Sequence, residues 1–290
     1  MDDETRKTLT KVPALTLGFW VIKILATTFG ETAGDSVSMS WLGETTANAS
    51  TSFWQNGYLI GTAIFASALA VLVAMQISAK RFHPSLYWAT IIASTTAGTT
   101  MADFATRSMG IGYPGGSVIL LLLVLLSLFT WHRALGTISV ASLHERKAEI
   151  YYWITITFSQ TLGTALGDWV ADGALGYAGS AAIFGLLLSL IALAYYRTDI
   201  SRVSLFWAAF IITRPLGAVV GDFLDKPVAH GGLELSRAGA SLVLGVTIVL
   251  LVLFLPQYAA KSEHPLKQSK VIGLLKAIKL SCFGENRNAR

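Results

Sequence analysis

The sequence predicts an all-α integral membrane protein with eight transmembrane helices from four two-helix repeats, pseudo-symmetric about the membrane normal. Three observations predict it. Hydrophobic residues make up 53% of the 290 and charged residues 13%, with a mean hydropathy of +0.57, a composition outside the soluble globular range. Apolar windows of about twenty residues, the length that crosses a bilayer, recur along the chain. Four times a tryptophan is followed fifteen residues later by an aspartate: Trp20 and Asp35, Trp88 and Asp103, Trp153 and Asp168, Trp207 and Asp222. One spacing repeated four times is an internal repeat.

In chain order the windows fall at about 14 to 34, 55 to 79, 86 to 104, 114 to 132, 150 to 170, 178 to 197, 203 to 223 and 236 to 256. They group into repeats at about 14–79, 82–135, 147–197 and 201–256 within a transmembrane domain of residues 1–260. The repeated Trp and Asp fall in windows one, three, five and seven, so each repeat reads as a helical hairpin with a carboxylate near one end of its first helix. The polar start, Met1 to Lys11, lacks the apolar core and cleavage site of a signal peptide, so window one is expected to remain in the mature protein. Residues 261–290 form a basic tail.

Lysine and arginine fix the expected orientation. Arg6, Lys7, Lys11, Lys80, Arg81, Arg133, Arg146, Lys147, Arg197 and Arg202 lie in the connections on one side, against Arg107, Lys226 and Arg237 on the other. The positive-inside rule puts both termini in the cytoplasm of a multi-pass inner-membrane protein and the four aspartates toward the outer face. From Lys261 onward seven Lys and Arg stand against Glu263 and Glu285, which accounts for the whole net charge of +5. In that tail Val271, Ile272, Leu274, Leu275 and Ile278 alternate at helical spacing with Lys270, Lys276 and Lys279, as in a helix lying on anionic lipid. A solvated basic tail is the plainer alternative, and nucleic acid is not needed to explain the charge.

The stretch from Phe19 to Thr28, then Gly30-Glu31-Thr32, and again Thr213-Arg214-Pro215-Leu216-Gly217, resembles a bacterial membrane protein family of four tandem two-helix repeats with a characteristic Trp. That family is a repeat of unknown function. The resemblance covers about residues 12 to 256 and implies topology rather than activity.

Chemistry follows from the repeated positions. Gly30, Gly98, Gly163 and Gly217 stand ten residues after each Trp, and Gly34, Ala102, Gly167 and Gly221 immediately before each Asp. Small residues four apart share a helix face and let another backbone approach, so simple helix packing explains them. The aspartates are different: an ionisable group in a spanning helix costs roughly 2.5 to 3.5 kcal/mol on insertion scales. Paid at four equivalent positions, that cost points to groups turned toward one another or toward water. A solvated helix end or cap is the plainer alternative. Lys23, Thr27, Gly30 and Gly34 share one face of the first helix, with Glu31 and Asp35 on its flank. Lys23 and Arg214 lie at mid-depth and are expected to pair with carboxylates, as structural ion pairs or as part of coupling. Thr27, Thr28, Thr95, Thr96, Ser159, Gln160, Thr161 and Thr213 make a hydroxyl-rich belt below the acids, while Asp172 and Asp225 are expected to face solvent.

Carboxylates backed by hydroxyl oxygens suit a hard cation, Mg²⁺, Mn²⁺, Ca²⁺, Na⁺ or H⁺, with manganese the first choice among divalent ions. Asp35 and Glu31 are the leading metal ligands and the other three aspartates complete the set. His83, His132, His144, His230 and His264 lack ligand spacing, and Cys282, the one cysteine, lies in the tail, so neither a zinc site nor an internal disulfide is indicated. The Gly-x-Gly-Asp signature of intramembrane aspartyl proteases is broken at Thr32, Ala165 and Val219. Glu31-Thr32-Ala33-Gly34-Asp35 has one residue too many for the Glu-x-Gly-Asp motif of certain cation/proton exchangers. No phosphate loop, nucleotide fingerprint or nucleophile triad appears, so no enzymatic role and no cofactor are expected. The expectation is a transporter or permeation pathway for a small hard cation, possible proton coupling included. The alternative is a membrane scaffold or sensor that transports nothing.

Overall fold

The computed structural model describes residues 9–45, 53–143 and 145–261. These form eight long helices: α1 (Leu17–Asp35), α2 (Gly57–Ser78), α3 (Pro84–Asp103), α4 (Gly112–Leu135), α5 (Arg146–Ala171), α6 (Gly176–Arg197), α7 (Arg202–Asp225) and α8 (Arg237–Phe254). Local chemistry sets their ends. Thr16, Asn56, Ser201 and Ser236 accept a hydrogen bond from the first turn of α1, α2, α7 and α8, and Pro84 opens α3, where a missing N–H costs nothing. Gly136, at φ 72°, takes the left-handed conformation that closes α4. Past Asp35 and Asp103 the chain continues as wider π-turns, Ser36–Trp41 and Phe104–Ser108.

The odd-numbered helices form an inner ring: α1 packs on α3, α3 on α5, α5 on α7, and α7 back on α1. The even-numbered helices lie outside. In their most apolar stretches only 11% to 17% of residues of α2, α4, α6 and α8 are buried, against 61% for α7. Leu122, Leu125, Leu126 and Phe129 of α4 and Leu242, Val243 and Leu253 of α8 are more than half exposed, a surface suited to acyl chains and not to water. Five helices, α2, α4, α6, α7 and α8, are long and apolar enough to cross a membrane. The inner helices α1, α3 and α5 fall short because they carry polar residues, Lys23, Glu31 and a run of threonines in α3 among them, which the surrounding helices shield.

The expected hairpins are not packed as hairpins. Each outer helix lies chiefly against the inner helix of the next repeat, α2 on α3, α4 on α5 and α6 on α7, and α8 closes the circle on α1. Sequence adjacency gives an outer helix no preference for its own repeat when the next repeat presents an equivalent groove.

Glycine sets the spacing of the ring. The Gly ten residues after each Trp faces the residue seven after the Trp of the next inner helix: Gly30 against Thr95, Gly98 against Gln160, Gly163 against Arg214, Gly217 against Thr27. A Cβ at Gly98 would meet the Gln160 carbonyl carbon at 2.9 Å and the Thr161 nitrogen at 3.0 Å. Gly34, Gly167 and Gly221 repeat the contact one turn on, against Thr99, Ala218 and Glu31.

At the Trp end the ring is sealed by one aromatic cluster containing Phe19, Tyr87, Trp88, Trp131, Tyr152, Trp153, Phe206 and Trp207, with Trp20 packed against it. The Tyr87 and Tyr152 hydroxyls meet at 2.8 Å, and Trp88 and Trp207 donate to Gln257 and to the Ile138 carbonyl. Beneath it a two-stranded antiparallel sheet, β1 (Leu9–Pro13) with β2 (Ala259–Lys261), joins the two ends of the helical domain. Lys11 pairs with Glu149 at 2.6 Å and donates to the carbonyls of Gln76, Ile77 and Ala79, capping α2. The tail beyond residue 261, with its expected interfacial helix, lies outside the described residues.

Candidate functional site: a buried acidic cluster closed by an arginine

Because a helix returns to the same face about every four residues, positions three, seven, eleven, fifteen and nineteen after each Trp stack as layers in the ring. Next to the aromatic floor stand Lys23, Ile91, Ile156 and Phe210. Then come Thr27, Thr95, Gln160 and Arg214; then Glu31, Thr99, Thr164 and Ala218; then the four aspartates; and finally Met39, Arg107, Asp172 and Lys226. The ring thus passes from a largely apolar layer through hydroxyls to the four aspartates, with two bases in the layer beyond them.

Asp35, Asp103, Asp168 and Asp222 are each no more than 3% exposed, so they are neither solvated helix ends nor lining an open vestibule. Nor do they act as helix N-caps: each lies in the last turn of its helix, where the dipole disfavours a carboxylate. Two basic residues missed in the sequence hold them together. Arg107 lies 3.3 Å from Asp103 and 2.9 Å from Asp168; Lys226 lies 3.0 Å from Asp222 and 2.5 Å from Asp35. Each base clasps its own repeat's acid and the next repeat's, so the charge pattern is twofold where the backbone is fourfold. The signal was present in the sequence, since both bases follow a repeated Asp by four residues, the spacing that places side chains side by side. The arginine is anchored further by the Tyr58 and Tyr113 hydroxyls, each at 3.1 Å. Apart from acids, the lysine ammonium has among the described residues only the Met39 sulfur, at 4.0 Å.

Glu31 lies one turn deeper, where Arg214 crosses the ring to reach it. The Arg214 Nη2 stands 3.0 Å from Glu31 Oε2, 2.6 Å from Thr99 Oγ1 and 2.5 Å from Thr164 Oγ1, and Nη1 donates to the Thr27 carbonyl at 3.4 Å. One guanidinium on α7 therefore touches α1, α3 and α5 and closes the centre of the ring beneath the acids. Pro215 follows it inside the helix. The pairing expected of Arg214 is present; that of Lys23 is not. Among the described residues the Lys23 ammonium has no hydrogen-bond partner and no ion pair, and stands 4.2 Å above the Phe210 ring. Its layer is otherwise Ile91, Ile156 and Phe210, and Glu31, two turns up, is taken by Arg214.

The expected hydroxyl belt turns inward on the backbone. Thr27, Thr28, Thr95, Thr96, Thr161 and Thr213 donate to carbonyls three or four residues earlier in their own helices, which satisfies them without a ligand. Among the described residues Ser159 and Gln160 have no partner. The hydroxyls that do reach the acids are Thr99 and Thr164, each 3.3 Å from Glu31 Oε2 and one turn beyond the belt. Asp172 is exposed as expected, but Asp225 is buried, bonded to Arg237 at 3.0 Å and 3.9 Å from Lys226. It is the last residue of α7, and Arg237 from the start of α8 holds it inward.

The cluster is over-supplied with acid. Asp35, Asp103, Asp168, Asp222, Asp225 and Glu31 face Arg107, Arg214, Lys226 and Arg237, and one or more oxygens of each of these five aspartates receive no hydrogen bond among the described residues. Two sets of three carboxylates bring one oxygen each within 4.8 Å of one another: Glu31, Asp168 and Asp222, and Asp35, Asp222 and Asp225. Buried like charges at such separations require a proton or a cation between them.

Fold and site define an all-α protein of four tandem repeats with an apolar outer surface and a buried acidic centre. The chain belongs to the family Repeat of Unknown Function (DUF347), which matches it four times, at residues 18–82, 86–137, 151–201 and 205–261. No curated protein and no solved structure matches it.

Proposed function

We propose that this protein is a multi-pass carrier of the inner membrane that binds a small hard cation, Mn²⁺ in the first instance, at the acidic centre of its helical ring. In this reading all eight helices span the bilayer around an axis along the membrane normal, both termini are cytoplasmic, and the basic tail rests on anionic lipid. The excess of buried carboxylate over basic side chains carries the proposal, because oxygens without donors in a low-dielectric centre attract a metal ion or protons. Glu31, Asp168 and Asp222 are the first ligand set, with the Thr99 and Thr164 hydroxyls beside Glu31. Protons on the same carboxylates would compete with the metal, which gives proton coupling a physical basis. Arg214 favours a carrier over an open channel: a fixed positive charge across the ring repels a cation moving straight through it, so passage requires Arg214 to shift. No chemistry is asked of the site, and the protein is not an enzyme in this reading.

The test is Mn²⁺ movement in proteoliposomes containing the parent protein or Asp35→Asn, Asp103→Asn, Asp168→Asn or Asp222→Asn. Asn preserves shape and removes the charge, so the Asp168 and Asp222 variants should lose ten-fold or more of the flux while remaining folded. One observation favours a non-transporting scaffold: Arg107 and Lys226 clamp all four inner helices through the same aspartates. If the Asn variants transport like the parent but unfold at lower temperature, the scaffold takes precedence.

A further inference from the structure

We infer that the Asp35, Asp222 and Asp225 carboxylates form a second hard-cation subsite, whose resident occupant is the chain's own Lys226 ammonium. This rests on the cation-carrier reading of the same cluster and adds to it a second, competing position.

Three acids from two helices surround one ammonium, at 2.5 Å for Asp35, 3.0 Å for Asp222 and 3.9 Å for Asp225. Their oxygens approach within 4.8 Å of one another, a spacing that a divalent ion spans with ordinary metal–oxygen bonds, and Arg237 holds the Asp225 Oδ2 at 3.0 Å. Asp35 Oδ1 and Asp225 Oδ1 receive no hydrogen bond among the described residues, although Asp35 is 1% and Asp225 7% exposed. The ammonium therefore leaves Asp35 Oδ1 without a donor and reaches Asp225 Oδ1 only at 3.9 Å. It is also held more weakly than Arg107, the other base that clasps two of the repeated aspartates. Arg107 is tied by two tyrosine hydroxyls as well as two carboxylates, whereas among the described residues the Lys226 ammonium meets carboxylates and a thioether sulfur. Lys226 follows the last residue of α7 in extended backbone, at φ −73° and ψ 155°, so its four-carbon side chain can leave without unwinding a helix. Asp222 belongs to both carboxylate sets, which places the two subsites side by side with one shared ligand. A metal ion at the second subsite and the Lys226 ammonium exclude each other, and the lysine acts as a tethered competitor that holds the site when the metal is gone.

The experiment counts Mn²⁺ bound to the detergent-solubilised full-length protein, by loss of the free-ion electron paramagnetic resonance signal, at a fixed ionic strength. The parent should bind one ion tightly, Asp168→Asn none, Lys226→Gln two, and the Asp168→Asn/Lys226→Gln double variant one. If Lys226→Gln binds no more than the parent, the second subsite is overturned, while loss of the parent's ion in Asp168→Asn still supports the first. If the parent binds none and Lys226→Gln binds one, the second subsite stands and the first fails. Absence of binding in every variant overturns both. Should Lys226→Gln not fold, acylation of Lys226 in the parent decides: Mn²⁺ in excess of one equivalent should raise labelling by an amine-reactive reagent several-fold, and unchanged labelling overturns the inference.

Discussion

Arg214 and Lys23 show how differently two buried cations are accommodated in one ring. Arg214 has a carboxylate, two hydroxyls and two carbonyls within reach, so its removal strands Glu31 among Thr99, Thr164 and Ala218. Breaking one side of a buried ion pair costs about 3–5 kcal/mol, and removing both sides costs far less. Arg214→Met should therefore lower the thermal unfolding midpoint strongly, and Arg214→Met/Glu31→Gln should recover much of the loss. Equal destabilisation in the single and double variants would deny the pairing. Lys23 is the reverse case. Its ammonium gains a cation–π contact with Phe210, worth about 0.5–2 kcal/mol, against the larger desolvation penalty of an unpaired buried charge. Lys23→Met is expected to raise stability by about 1–4 kcal/mol, and a marked destabilisation would show that Lys23 has a partner. Only part of this contrast was legible in the sequence. Hydropathy gives the depth of a lysine or an arginine, but which acid a side chain reaches depends on the neighbouring helix and on the reach of the guanidinium, neither of which a single sequence encodes locally.

At the level of the helix, the small residues work through who faces them. Gly98 stands against the backbone of Gln160 and Thr161, which cannot yield, whereas a Cβ at Gly185 on the outer helix α6 would meet nothing within 4 Å. Gly98→Ala should cost about 1–3 kcal/mol through overpacking. Gly185→Ala should be neutral or stabilising by about 0.4–1 kcal/mol, since alanine restricts the unfolded chain. Comparing the two by thermal unfolding separates helix propensity, which favours both changes, from packing, which opposes one. The eight long helices and the repeated small residues were visible in the sequence because they depend on period and composition, properties of the chain itself. The partner of each glycine face was not visible, because four equivalent helices offer four chemically similar grooves. Arg107 and Lys226 were overlooked for a related reason: as charges in connections they fit the orientation count, although their place four residues after a repeated aspartate also puts them on the acid face.

For the whole molecule the consequence is a closed ring with a seam between its first and last repeats. Every outer helix leans forward onto the next repeat, so α8 has no next repeat except the first, and its docking on α1 completes the circle. The contact includes the Ser241 hydroxyl donating to Thr32 at 2.9 Å and the Phe29 ring beside Gly245. Below it, β1 and β2 pair the start of the domain with its end. The four-repeat architecture was legible from the Trp and Asp spacing, but the forward lean was not, since a repeat of fixed period is compatible with hairpins packed on themselves or on their neighbours. A cysteine pair distinguishes the two. In a Cys282→Ser background, Thr32→Cys/Ser241→Cys places thiols more than two hundred residues apart in sequence where two hydroxyls now touch. Mild oxidation should join them into a disulfide, seen as a shift in mobility under non-reducing conditions and reversed by reductant. Hairpins closed on themselves would keep α8 beside α7, and the same oxidation would leave both cysteines free. A cross-link that forms only between copies of the chain would point to an open ring that exchanges α8 with a second molecule. An intramolecular link establishes the seam, and with it the encirclement that brings Asp35 of the first repeat to Asp222 and Lys226 of the last.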